Sequence, residues 1–146
     1  MSGGLVLRLR PHEKFLVNGV VIENGARRAR LRVETPDAHI LRVRDALHPE
    51  EADTPAKRLY YAAQLAVAGE ADPDRARTEL QQGLEALKSA LGDNICREAL
   101  DKAIKDAEAG KFYGVMRALA RVLPIEKTLL AAADAKGAAS LAAAGQ

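Results

Sequence analysis

The sequence predicts an α+β fold, with a small antiparallel β-unit followed by a helical bundle. Three observations predict it. Residues 5–44 alternate apolar and polar side chains with period two, in short runs broken by Asn-Gly pairs and prolines. From Thr54 onward apolar residues recur at spacings of three and four. The charge divides at the same place. Nine Lys/Arg against five acids leave +4 over residues 1–47, while thirteen basic and fifteen acidic residues leave −2 over 48–146. A chain of 146 residues that is 48% hydrophobic suffices for one sizeable core, or for two small units that share one. Only 3% is aromatic, with no Trp, so Leu, Val, Ile and Ala must build that core.

The first strand sets Leu5, Leu7 and Leu9 against Val6, Arg8 and Arg10, and Pro11 ends it. Phe15-Leu16-Val17 and Val20-Val21-Ile22 are the next two runs, followed by Asn18-Gly19 and Asn24-Gly25 respectively, both strong turn signals because Asn and Gly tolerate positive φ. A fourth strand, about Arg27–Glu34, puts Ala29, Leu31 and Val33 on one side and Arg28, Arg30 and Arg32 on the other. Thr35-Pro36-Asp37 is a turn. The last strand, about Ala38–Arg44, puts Leu41 and Val43 on one face and Ile40, Arg42 and Arg44 on the other. Five short strands in 45 residues suggest a meander or a small barrel.

Residues 1–48 form this β-unit and 49–53 a polar hinge after His48. Residues 54–130 read as four helices with short connections, an antiparallel bundle. Thr54-Pro55 is an N-cap with proline at the first helical position, and Gly69 a stop. Pro73 opens a second helix with Leu80, Leu84, Leu87 and Leu91 on one stripe, ended by Gly92. That stripe reads as core packing more readily than as a docking face. Asp93 caps a third helix, with Ile95, Ala99, Leu100, Ala103, Ile104 and Ala107 inward, ended by Gly110. A fourth runs from about Lys111 to Leu123, bounded by Pro124, and residues 131–146 form an Ala-rich, frayed helical tail.

No run of about 18 apolar residues exists, so no membrane span is expected. The apolar stretch before Arg8 is too short for a signal peptide, and the lone Cys96 makes no internal disulfide; both point to the cytoplasm. Enzyme signatures are lacking: no P-loop, no G-x-G-x-x-G, no Cys or His pair at metal spacing. His12, His39 and His48 are scattered through the β-unit, so no metal or cofactor is expected; His48-Pro49 reads as a turn, and Cys96 as a buried, inert thiol. Two readings of the arginine face stand side by side. It is a solvated face that keeps sheet edges from pairing with other chains, or it receives an anionic partner through the planar donor fork of arginine. Phe15 is the only aromatic of the β-unit, so readout of a nucleic acid there would depend on arginine and backbone groups rather than on stacking.

The residues carry a resemblance. Leu7-Arg8-Leu9-Arg10-Pro11-His12-Glu13-Lys14-Phe15, Val17-Asn18-Gly19, Asn24-Gly25, Arg27-Arg28, Ile40-Leu41-Arg42-Val43-Arg44-Asp45 and Thr54-Pro55-Ala56-Lys57-Arg58-Leu59-Tyr60-Tyr61 resemble the FlbT family of alphaproteobacterial flagellum-biogenesis regulators, over about residues 5–125. His12 departs from the family's usual Gly in that turn. The resemblance implies a post-transcriptional regulator that binds the 5′ untranslated region of flagellin mRNA, blocks translation and promotes decay, alongside the companion FlaF; in some relatives the sign is positive. The β-unit alone is similar in layout to the carbon-storage regulator CsrA, an intertwined β-dimer, which implies a possible homodimer. Carried over, that layout puts the RNA edge at Leu7, Arg8 and Arg10 on the first strand and Arg42 and Arg44 on the last, with Arg28, Arg30 and Arg32 adding charge. On this reading, replacing Arg42 and Arg44 weakens binding without unfolding the chain. The competing reading is a protein-interaction module whose bundle binds flagellin or FlaF, with indirect effects on mRNA.

Overall fold

A computed structural model describes residues 5–18, 20–35, 38–91 and 96–144, the side chains of 137–144 excepted. The β-unit precedes the helices and is segregated from them, an α+β arrangement, but it is no meander. Strand β1 (Leu5–Leu9) pairs antiparallel with β4 (Ala29–Val33) as a two-stranded ribbon. Strands β2 (Lys14–Val17), β3 (Val20–Glu23) and β5 (Ile40–Arg42) form a second sheet in the order β3-β2-β5. Only β2 and β3 are a hairpin, with Val17 opposite Val20. Asn18 takes φ 50° there, as its place in a two-residue turn demands; Gly19 lies outside the described residues. Asn24-Gly25 does not close a hairpin. Asn24 Nδ2 donates to the carbonyls of Arg10 (2.7 Å) and Arg27 (2.9 Å), and the chain crosses there from one sheet to the other.

The three-stranded sheet is the middle layer. Its Phe15, Val17 and Ile40 face the ribbon and close a small core with Leu7, Leu9, Ala29 and Val33. Leu16 and Leu41 face the opposite way and join the helical core. β5 is shorter than the alternation suggests: its pairing with β2 ends at Phe15–Arg42. Val43–Asp45 is a 3₁₀ turn, so Val43 is 41% exposed instead of inward, and Arg44 leaves the strand.

Helices α1 (Pro55–Val67), α2 (Pro73–Leu91), α3 (Cys96–Glu108) and α4 (Phe112–Ala144) pack in a ring, each against the next and α4 against α1. Thr54 Oγ1 accepts from Lys57 N–H, and Gly69 and Gly110 end α1 and α3 with φ of 77° and 74°. Leu80, Leu84 and Leu87 are buried in the core with Ala103, Val115, Met116, Leu119 and Val122. Gly92, Asp93 and Ile95 lie outside the described residues. Cys96 is 1% exposed; burial, and then the nearby Glu126 carboxylate, push its thiol above the ordinary range. The hinge is tied down: Glu51 Oε1 accepts from His48 N–H (2.8 Å), His48 Nδ1 from Glu50 N–H (3.3 Å), and the Gln64 amide brackets both backbone groups of Leu47 (2.7 and 3.0 Å).

Pro124 does not bound α4, contrary to the sequence expectation. The helix runs through it without a break, 33 residues from Phe112 to Ala144, about 50 Å. Proline removes the N–H that would bond the Ala120 carbonyl, but both residues are exposed, so water can satisfy that carbonyl. The next turn is fixed from elsewhere: the buried Glu126 accepts from Ala56 N–H (2.8 Å) and from the Thr54 hydroxyl, capping α1. The Ala-rich segment is thus an extension of α4, with residues 127–136 exposed.

Candidate nucleic-acid interface

The ribbon register decides which arginines meet. Arg8 stands directly opposite Arg30, and Arg32 opposite Val6 on the same face. Like charges opposed on a ladder destabilise a sheet, and among the described residues neither side chain is paired with an acid. Arg10 and Arg28 continue the row past the ladder. Arg8, Arg10, Arg28 and Arg30 join Arg42 and Arg44 around one open cleft of about 770 Å³, completed by Val6, Leu9 and Ala29. Six of the eight residues expected at a binding edge therefore converge. Arg32 shares the outer face but does not line the cleft. Leu7 is a correction: it alternates to the other face of β1, packs with Leu9 and Phe15, and is 4% exposed, so its side chain is core.

The arginines fall into two groups. The side chains of Arg8, Arg10, Arg28, Arg30 and Arg32 make no hydrogen bond or ion pair among the described residues. Arg42 and Arg44 are tied to Glu13, whose side chain is 7% exposed: Arg42 Nη1 lies 3.2 Å and Arg44 Nε 3.7 Å from its Oε2, and Arg10 N–H donates to its Oε1 at 2.9 Å. The Arg10 N–H bond and the two guanidinium groups outweigh burial and hold the Glu13 carboxyl below its ordinary value. Sequence reading passed over Glu13; its spacing of three from Arg10, across a proline turn, was the available signal. Arg42 is 14% exposed and belongs to the fold as much as to the cleft.

Replacing Arg42 should therefore unsettle the protein as well as its surface, which revises the expectation of an innocuous Arg42/Arg44 double variant. Arg42→Ala should cost about 1–2 kcal/mol in urea unfolding at neutral pH, because a half-buried carboxylate loses its nearest cation and keeps only Arg44 and the Arg10 N–H. A carboxyl held low in the folded state contributes stability above its unfolded value, and loses it as pH falls through the folded one. The deficit of Arg42→Ala should accordingly shrink in acid; a deficit independent of pH would show that Glu13 is not its cause.

The family described as flagellar protein FlbT matches residues 5–130. The chain belongs to the FlbT family. The Bradyrhizobium diazoefficiens "Probable flagellum biosynthesis repressor protein FlbT 1" is 37% identical over 118 residues, covering 70% of this chain and 77% of that protein. A Caulobacter sp. strain K31 protein, "Probable flagellum biosynthesis repressor protein FlbT", is 41% identical over 71 residues, 49% of this chain and 53% of its own length. The Caulobacter vibrioides "Flagellum biosynthesis repressor protein FlbT" is 25% identical over 122 residues, 84% of this chain and 86% of its own length. No solved structure matches. In this FlbT chain His12 holds φ 61°, a left-handed conformation that Gly adopts without strain. His12 thus keeps the turn that its side chain disfavours, and the turn places Glu13 beneath the cleft.

Proposed function

We propose that the chain represses flagellin synthesis by binding the 5′ untranslated region of flagellin mRNA, blocking translation and promoting decay of the message. The observation that carries this reading is the cleft: six arginines gathered on one face of the β-unit, four of them without a side-chain partner among the described residues and two of those four directly opposed. Such a surface lacks counter-charges of its own, and a phosphate backbone supplies them. The relatives named as flagellum biosynthesis repressors support the target system. The mechanism is occlusion. Guanidinium forks hold phosphates and base edges of the leader, the ribosome is kept off, and the protein performs no catalysis. Among the described residues no helix is long and apolar enough to cross a membrane, and no group of three or more His, Cys, Asp and Glu side chains could hold a metal ion.

A titration of labelled flagellin leader with the pure chain tests the reading. Four phosphates neutralised by Arg8, Arg10, Arg28 and Arg30 give a slope of about −3 in log K against log salt for a single strand, or roughly 50-fold weaker binding at 200 than at 50 mM. The absence of affinity at low salt would overturn it in favour of a protein-interaction module binding flagellin or FlaF. That second reading has its own observation, the exposed Leu129 and Leu130 (41% each) on the extended part of α4. The apolar edge strand β3, with Val20 and Val21 60% and 61% exposed, supports a homodimer in which a second copy covers it. Sedimentation of the pure chain as a monomer at all concentrations would exclude that dimer.

A further inference from the structure

A second cleft, of about 600 Å³, lies against the helices, and Arg44 lines both this cleft and the arginine cleft of the β-unit. Its helical wall is set by α4. Tyr113, Arg117 and Arg121 follow at four-residue spacing, one stripe along the helix with neighbouring side chains about 6 Å apart. Tyr113 is 42% exposed. Arg117 and Arg121 are exposed, and neither side chain makes a hydrogen bond or ion pair among the described residues. Lys102 on α3 also lines the cleft, held at 2.9 Å from Asp106. Asp45, 3.9 Å from Arg44 Nε, is the one acid in the lining. A unit whose residues sum to a negative charge thus presents a cationic stripe just where it adjoins the arginine cleft.

The wall is also preorganised. A Cβ at Gly114 would sit 2.4 Å from Asp106 Oδ2, so the missing side chain lets the Asp106 carboxylate lie on the α4 backbone beside Tyr113. Asp106 in turn fixes Lys102. At the cleft's base the Tyr60 hydroxyl donates to the Asp45 carbonyl at 2.5 Å, which fastens the 3₁₀ turn bearing Arg44 to α1.

The two clefts complement each other chemically. Proteins hold single strands by combining cationic contacts to the backbone with aromatic faces on which bases stack. The β-unit supplies the cations but no stacking face, since Phe15 is 2% exposed. Tyr113 supplies an exposed ring, with arginines one and two turns further on. We propose that single-stranded RNA crossing the arginine cleft continues past Arg44 onto α4, where one base stacks on Tyr113 and Arg117 and Arg121 take the following phosphates. This rests on the β-unit being an RNA interface, so the test separates the two.

The probe is a fluorescein-labelled 20-nucleotide oligouridylate, titrated with the full chain at 50 mM salt and followed by anisotropy. Tyr113→Leu should bind about tenfold more weakly, and Tyr113→Phe, which keeps the ring, should bind as wild type. Arg117→Gln with Arg121→Gln should also bind more weakly, with a salt slope shallower by about 1.4. The α4 path is overturned if the wild type binds and Arg8→Gln/Arg30→Gln binds more weakly, while the Tyr113→Leu and Arg117/Arg121 variants bind as wild type. Equal losses for Tyr113→Phe and Tyr113→Leu would overturn the stacking contact. No binding by the wild type would remove the RNA reading and the α4 path together.

Discussion

Replacing Arg8 and Arg30 together by Gln should weaken leader binding by at least tenfold while leaving the fold as stable as before or slightly more so. The two effects have one origin. Arg8 and Arg30 face each other on the β1–β4 ladder, and opposed like charges cost a sheet about 0.2–1 kcal/mol. Gln keeps the length and the hydrogen-bonding end but removes the repulsion, so the melting temperature should hold or rise. An anion bound between the two guanidinium groups converts that repulsion into attraction. Its loss should appear both as lower affinity and as a salt slope shallower by about 1.4, two phosphates at about 0.7 each. Arg27→Gln is the matched control, an exposed arginine just before β4 that does not line the cleft. If Arg8→Gln/Arg30→Gln binds the leader like Arg27→Gln, the arginines are a solvated face and nothing more.

Much of the architecture could be read from local chemistry. Thr54-Pro55, Gly69 and Gly110 announce helix ends because capping and positive φ are properties of single residues. The Leu80, Leu84 and Leu87 stripe announces a buried face because the period is intrinsic to the helix. The arginines of β4 fell where alternation put them, since β4 has one apolar and one polar face. The middle sheet was harder. It is covered on both faces, by the ribbon through Phe15 and Ile40 and by the helices through Leu16 and Leu41. Alternation then marks which residues share a face but not what that face meets. Arg42 therefore read as an outer cation, whereas its face is the one toward the ribbon, where Glu13 waits. The β1–β4 and β2–β5 pairings join residues 20 or more positions apart, and no turn signal encodes them. Leu7 was misplaced for the related reason that membership of an edge was inferred from sequence layout, while its side chain follows the parity of Leu5 and Leu9.

Pro124 was misread because a local breaker was weighed without the tertiary contact that outweighs it. Glu126 is that contact, and replacing it carries the largest expected stability effect in the chain. Glu126→Ala should cost about 3–4 kcal/mol in urea unfolding. The Ala56 N–H, buried in the first turn of α1, would lose its acceptor, and the Thr54 hydroxyl would lose the carboxylate it donates to. A cavity would open between α1 and α4 at a residue that is 3% exposed. Water cannot easily substitute there, unlike at the exposed Ala120 carbonyl. Glu126→Gln should cost only about 1 kcal/mol, because the amide oxygen still accepts from Ala56 while the favourable placement of a carboxylate at a helix N-terminus is lost. The difference between the two variants separates the hydrogen bond from the charge. Amide exchange adds a local readout: Ala56 and Lys57 should lose protection in Glu126→Ala before the core amides of α2 do. Should both variants unfold at the wild-type midpoint, α1 is ordered without its cap, and the continuation of α4 through Pro124 would need another cause.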